Sequence, residues 1–324
     1  MKLDATIACD PAVGAELAAA LEADGYDGVW TAETQHDPFL PLAAAAVSTS
    51  RVTLGTAIAT AFTRSPMVTA MAAWDLQRAS KGRFVLGLGT QVRAHNVRRF
   101  SVPWGAPAPR LRELVEALRH IWGAFQGEHP LKFRGDYYRH DLITPFFDPG
   151  PIDYPKPEIW LAAVTPTMYR LAGEVADGIH VHVFHTVRYL REVALPALGA
   201  RRNELTLASG VFVVTGGNAD AVRMQIAFYG STPTYRPVFE AHGWGGLQEQ
   251  LHGLMARGDF GAMAAAIDDE VLAEFAVIAD SWDDAWRQVR ARYDGVLDRV
   301  GVYALRSAAD GESREIAEAF RRTA

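Results

Sequence analysis

Cysteine is almost missing from this chain. The single Cys9 excludes a disulfide within the chain and fits a reducing compartment, so the expectation is a cytoplasmic protein. Lysine is scarce too: the 32 basic residues are 4 lysines and 28 arginines, interspersed with acids to a net charge of −6. No basic patch emerges, which excludes the electrostatic footprint of a nucleic-acid binder. No stretch approaches the ~20 uninterrupted apolar residues of a membrane span. The opening MKLDATIACDP lacks the apolar core of a signal peptide, so neither leader nor membrane is expected. Sequence repeats and low-complexity segments are also lacking.

What is present is ordinary globular material: 49% hydrophobic and 22% charged residues over 324 positions. That is enough for one large α/β barrel of ~250 residues with insertions, read as a single domain over 1–324. Strand-like and helix-like segments alternate along the chain. Leu3–Cys9, Asp27–Ala32, Val52–Ala59, Phe84–Gly89, Ile159–Val164, Gly178–Phe184, Leu207–Thr215 and Arg299–Leu305 read as eight strands. Between them lie Pro11–Ala23, Leu40–Ser48, a helix opening at Ser65-Pro66, Arg110–Phe125, Pro166–Val175 and Val187–Leu198. The clearest helix carries Leu111, Leu114, Val115, Leu118, Ile121 and Trp122 at helical spacing. Two stretches break the rhythm: 128–157, with LKFRGDYYRH as a hairpin around Gly135-Asp136, and about 229–280 within a long helical region. The pattern predicts a (β/α)8 barrel with those two insertions.

In such a barrel, residues just past the strand C-termini line the active face. That rule gives meaning to DGVWTAETQHDPFLP, where a short apolar strand runs into Glu33, Gln35, His36 and Asp37. The stretch is either a solvated turn or the mouth of a site, and its position favours the site. Glu33 and His36 are the candidate acid/base groups, with Asp37 a cap or turn residue before Pro38. In IHVHVF, His180 and His182 lie two apart and share one strand face. They read as a buried hydrogen-bonded pair, a phosphate or substrate site, or part of a metal site needing further ligands. GLGTQV lacks the third glycine of a dinucleotide loop, so Gly87 and Gly89 are expected to admit a flat ligand or to serve tight packing. The strand-to-helix step at Val164, Thr165 and Thr167 offers free N–H groups to an anion. TAIATAFTRSP reads either as packing under a lid or as a hydrophobic shelf for an aromatic ring. The 229–280 segment, with Tyr229, Tyr235, His242 and Trp244, is a candidate lid or dimer contact.

Taken together, GVWTAETQHDPF, RVTLGTAIATAFTRSPMVTAMAAWDLQRASKGRFVLGLGTQ, KFRGDYYRH and PEIWLAAVTPTMYRLAGEVADGIHVH resemble the bacterial luciferase-like superfamily. AFYGSTPTYRPVF adds a likeness to the F420-dependent oxidoreductases of actinobacteria within it. The resemblance implies coenzyme F420, or alternatively FMN, bound at the barrel mouth beside a small-molecule substrate. It implies a non-prolyl cis peptide around Ala57, Ile58 and Ala59 behind the ring, with Thr90 and Gln91 at the ring edge. Phosphates would be held by Val164, Thr165 and Thr167 and by His182, His185 and Thr186. It further implies a homodimer and a separate flavin or F420 reductase supplying reduced cofactor. The chain departs from the family pattern where Thr34 follows Glu33 and histidine waits until position 36. The lysine often found near the phosphates is missing too, leaving His185, Arg188 or Arg191 as stand-ins. The rival readings are an FMN-dependent monooxygenase, a metal-dependent barrel hydrolase and a flavin-binding protein without catalysis.

Overall fold

The computed structural model describes residues 1–303 and 311–324. Eight parallel strands form the barrel: β1 (Lys2–Ile7), β2 (Gly28–Thr31), β3 (Thr53–Thr56), β4 (Phe84–Gly89), β5 (Glu158–Ala163), β6 (Gly178–Val181), β7 (Thr206–Val214) and β8 (Arg299–Val302). Each pairs with its successor, and β8 pairs back onto β1 through Lys2↔Arg299 and Leu3↔Val300, which closes the ring. This is the (β/α)8 barrel that the alternation predicts. The expected last strand Arg299–Leu305 is seen as Arg299–Val302, and its residues 304 and 305 lie outside the described residues.

Local chemistry sets the elements. Ser65 caps the helix Pro66–Ala79 by accepting from the Val68 N–H, and Thr165 does the same for Pro166–Val175 through Met168. Gly25 ends the helix Gly14–Asp24 in the left-handed conformation that glycine adopts without cost. In the helix Pro107–Phe125, Leu111, Leu114, Val115, Leu118, Ile121 and Trp122 are all buried against the barrel. Burying each such side chain contributes ~1.5–3 kcal/mol. The hairpin pairs Phe133–Arg134 with Arg139–His140. Its turn is pinned to that helix: the Asp136, Tyr137 and Tyr138 N–H groups all donate to the Glu113 carboxylate, at 2.6–2.8 Å.

Two departures from the sequence reading have physical causes. The expected strand Val52–Ala59 breaks after Thr56 and resumes as Ala59–Thr60, paired with Leu88 and Gly89 of β4, with the Ala57–Ile58 peptide bond cis between them. The 229–280 region is not uniformly helical. Its Ala276–Ile278 forms a three-residue strand on the C-terminal half of β7, too short for periodicity to reveal.

The barrel interior is filled from alternate strand positions. Trp30, Val85, Trp160 and Ala208 form an inner cluster separate from the larger core between strands and helices. His180 joins them, with ring centroids 4.8 Å from Trp30 and 5.1 Å from Trp160. Below these rings Arg299 and Asp4 make a buried two-pronged ion pair at 2.6 and 2.8 Å. Gly87 leaves the space that the Thr56 carbonyl and the His180 ring occupy. The interior is a packed core, so any site must lie above it.

Candidate functional site at the barrel mouth

The segment after β2 is tied down by charge. Glu33 is buried, and both its carboxylate oxygens are engaged: Arg64 donates to them at 2.9 and 3.0 Å, and the Thr60 N–H donates at 2.6 Å. Arg64 also donates to Asp37 at 2.6 Å. Burial works against the guanidinium's charge, but Glu33 and Asp37 outweigh it and hold the Arg64 pKa above its ordinary value. Asp37 accepts from the Phe39 N–H at 2.8 Å and so braces the turn through Pro38, the residue at the cap of the helix Phe39–Ser48. The burst of polar residues therefore divides in two. Glu33 and Asp37 are anchored structural anions, which changes the expectation that Glu33 stands free for proton transfer. His36 is exposed on the rim and has no hydrogen-bond or ion-pair partner among the described residues.

Next to it stands the apolar shelf. Ala57 donates to the Thr31 carbonyl at 2.6 Å and Glu33 N–H to the Ile58 carbonyl at 3.1 Å, so the cis peptide is stitched to the strand-two loop. Ala57 and Ile58 remain half-exposed at the mouth, whereas Ala59, Ala61 and Phe62 are buried. Of the two roles expected for the glycines, the contacts are those of tight packing. A Cβ on Gly89 would meet Ile58 Cδ1 and Cγ1 at 2.8 Å, and Gly87 faces the Thr56 carbonyl and His180. Both glycines make room for protein atoms. Thr90 and Gln91 follow at the end of β4, with Gln91 in the left-handed region at φ 55°. The buried Asn96 fixes the turn by donating to the Thr90 carbonyl at 2.8 Å. Gln91 accepts from the Val92 N–H through its side-chain oxygen, which leaves its amide N–H groups available.

The third side of the mouth comes from β5 and β6. Val164 and Thr165 are half-buried and Thr167 is exposed at the helix start, where N-terminal N–H groups attract anions. His180 and His182 do share one face, as the spacing predicts, but they do different things. His180 packs between the Trp30 and Trp160 rings, and burial, helped by the Arg299 charge, pushes its pKa down to about 3. His182 lies at the mouth against Tyr229 and Tyr235, with centroids at 4.7 and 5.0 Å. Its Nδ1 accepts from the Phe184 N–H at 3.1 Å, so the proton sits on Nε2, and burial lowers its pKa to about 3. His182 is thus a neutral donor and not a cation.

His185 and Thr186 leave the candidate phosphate set. His185 is 2% exposed, donates from Nδ1 to the His182 carbonyl at 2.8 Å and accepts from the Tyr293 hydroxyl at 3.1 Å. Thr186 is fully buried, caps Tyr189 and bonds His242 Nε2 at 2.8 Å. Both are spent on holding helices to the barrel.

Sequence reasoning missed Arg64 and Tyr303. Arg64 stood in a stretch read only as apolar, and Tyr303 in a strand read only for its periodicity. The Tyr229 and Tyr303 hydroxyls lie 2.6 Å apart, joining the 229–280 insertion to the end of β8. Phe184 packs on Tyr235, Phe239 and Phe275, so the insertion covers the β6 side of the mouth. A groove of about 990 Å³ opens at the opposite, N-terminal end of the strands. Its Lys156 is paired with Glu128 and its Arg83 with carbonyls of Val52 and Thr49. Among the described residues no group of three or more His, Cys, Asp or Glu is placed to hold a metal ion. The metal-dependent hydrolase reading thus has no ligand set there. Nor is any helix among them long and apolar enough to cross a membrane.

A barrel with this mouth defines a class, and comparison with known proteins places the chain in it. The family model described as luciferase-like monooxygenase matches residues 6–299, and the chain belongs to that family. An uncharacterized protein of Mycobacterium tuberculosis is 49% identical over 314 residues, covering 93% of this chain and 92% of that one. A putative coenzyme F420-dependent oxidoreductase of the same organism is 29% identical, covering 82% and 83%. Among solved structures, the coenzyme F420-dependent tetrahydromethanopterin reductase from Methanopyrus kandleri superposes with a TM-score of 0.79. It is 21% identical and covers 99% of this chain and 97% of its own.

Proposed function

We propose that this protein is an F420-dependent oxidoreductase that moves a hydride between the deazaflavin and a small organic substrate. The observation that carries the reading is the half-exposed Ala57–Ile58 wall after β3, followed round the barrel by the free Gln91 amide after β4 and the helix start at Thr167 after β5. That donor set fits a flat heteroaromatic ring with an anionic tail. Ala57 and Ile58 would back the ring, Thr90 and Gln91 would meet its polar edge, and Val164, Thr165 and Thr167 would take the tail, with His182 beside it. When bound, F420 supplies two-electron hydride chemistry. The chain's own part is to hold the two reactants face to face, exclude water and provide the accompanying proton. His36 is the free titratable group of the strand-two loop and is assigned that proton, with Glu33 and Arg64 fixing the loop that carries it. The F420-dependent relatives support this cofactor over FMN. The family description leaves FMN-dependent monooxygenation as the second reading. A homodimer and a partner reductase for the reduced cofactor belong to the same proposal. Titration of the apoprotein with F420, followed by turnover tests with a panel of ketones and alcohols, tests it. Saturable F420 binding is expected, and its absence would overturn the reading.

A further inference from the structure

The loop after β4 carries positive charge that the protein does not neutralise. No Asp or Glu occurs between Asp75 and Glu113, in a chain whose net charge is −6. Within that stretch QVRAHNVRRF sets Arg93, Arg98 and Arg99 just past β4, and all three are exposed. None of them has an acidic partner among the described residues. Arg64 on the neighbouring loop, by contrast, is held by Glu33 and Asp37.

The loop has a defined shape. The buried Asn96 donates from Nδ2 to the Thr90 and Val92 carbonyls at 2.8 and 3.2 Å, and its own carbonyl accepts from the Val102 N–H at 2.8 Å. His95–Arg99 is a wide, π-helical turn, in which the Phe100 N–H closes onto the His95 carbonyl at 3.0 Å. Residues five apart lie about one turn apart in such a winding, so Arg93 and Arg98 take neighbouring positions. Arg99 lies over the Phe100 ring, 4.8 Å from its centroid, and donates to the Thr34 carbonyl. Thr34 stands two residues before His36, so the loop reaches from Gln91 on the β4 side to the strand-two loop. The basic segment therefore lies between the group assigned to the ring edge and the group assigned the proton.

Guanidinium groups set close together without a counter-charge repel one another, and an anion among them replaces that repulsion with charge-assisted hydrogen bonds. The planar fork matches a carboxylate or a phosphate, each of which accepts it with two oxygens. The surplus of acids elsewhere on the chain repels such a ligand at long range, so a local basic rim is what draws it to the mouth. Val97 and Trp104, 43% and 38% exposed, offer apolar surface in the same loop to the uncharged part of the ligand.

We propose that this loop is a substrate-binding rim, in which Arg93 and Arg98 seat a carboxylate or phosphate group of the substrate away from the carbon that exchanges hydride. The proposal deepens the F420 oxidoreductase reading by naming an anionic substrate, and it rests on that reading. The cofactor tail is the other source of an anion at the mouth, and the experiment separates the two.

The test compares n-hexyl phosphate and n-hexanoate with n-hexanol, an uncharged probe of the same chain length, on full-length protein saturated with oxidised F420. Binding is read from the broadening of the probe's NMR lines, and F420 affinity is measured separately by fluorescence. In the wild type at least one anionic probe should bind about tenfold more tightly than hexanol, a preference that shrinks as salt is raised. Combining Arg93→Gln with Arg98→Gln should abolish the preference. Arg51→Gln, which removes a charge beside the Glu22 carbonyl at the N-terminal end of β3, should keep it. F420 affinity should be unchanged in all of these variants. Equal binding of charged and uncharged probes, or an anion preference that survives in the double variant, would overturn the proposal. Weaker F420 binding in the double variant, or displacement of the probe by F420, would overturn the substrate assignment and give the rim to the cofactor tail. Failure of F420 to bind the wild type would overturn the cofactor reading. The probes are then read on the apoprotein, where the same pattern upholds the rim and its absence overturns it.

Discussion

Replacing Arg64 by methionine isolates the contact on which the strand-two loop depends. The Glu33 side chain is 6% exposed and that of Arg64 19%. Losing Arg64 removes contacts of 2.9 and 3.0 Å from a carboxylate that keeps only the Thr60 N–H at 2.6 Å. Breaking a buried pair from one side costs ~3–5 kcal/mol, because the remaining charge is left uncompensated. Water reaches part of the Arg64 side, so the lower end, ~3 kcal/mol, is the expected loss. Glu33→Gln keeps the shape but not the charge and should cost ~1–2 kcal/mol. In the double variant the stranded carboxylate is gone, so the two losses should not add, with a coupling of ~1–2 kcal/mol. Urea denaturation of the four proteins closes the cycle. A coupling below ~0.5 kcal/mol would reduce the pair to an ordinary surface bridge and refute the loop-anchoring argument.

Other outcomes follow from the same geometry. His36→Ala should lower turnover ~10²–10⁴-fold at unchanged cofactor affinity, read by steady-state kinetics at saturating cofactor, and near-normal turnover would remove His36 from proton transfer. His182→Ala should weaken F420 binding while His185→Ala leaves it unchanged but lowers stability, which fluorescence titration and thermal melts separate. Burial depresses the His185 pKa to about 4. Between the unfolded value near 6.5 and that figure the unfolded chain binds the extra proton, so stability from this group is present above pH ~6.5 and is lost as pH falls towards 4. Urea midpoints for wild type and His185→Phe at pH 7 and pH 5 should differ more at pH 7, and an unchanged difference would contradict the buried neutral assignment. Gly89→Ala should weaken cofactor binding by displacing Ile58, which the same fluorescence titration checks.

The barrel was legible because its signals are local and repeated. Pro166–Val175 and Phe84–Gly89 coincide with the expected bounds, the first through a proline at the helix start and a threonine cap, the second through an unbroken apolar run. Ala276–Ile278 escaped because three residues carry no period, and it exists only through its pairing with β7. In the candidate site, sequence position located the loops but not the partners. Glu33 and Arg64 are 31 residues apart, and nothing local to either announces the other. His182 and His185 looked equivalent as polar residues past one strand. What separates them is whether the ring turns to the mouth or between helices, which packing decides. The glycines of FVLGLG carried a true signal of close approach, but the approaching atoms belong to Thr56, Ile58 and His180.

The central claim is that the mouth formed by Ala57–Ile58, Gln91 and the helix start after β5 is an F420 site. Parallel titration of one apoprotein preparation with F420 and with FMN, followed by fluorescence, tests it most directly. The account expects F420 to bind at least about tenfold more tightly, a difference of ~1.4 kcal/mol or more. Equal affinities, or FMN retained at full occupancy through purification, would contradict it.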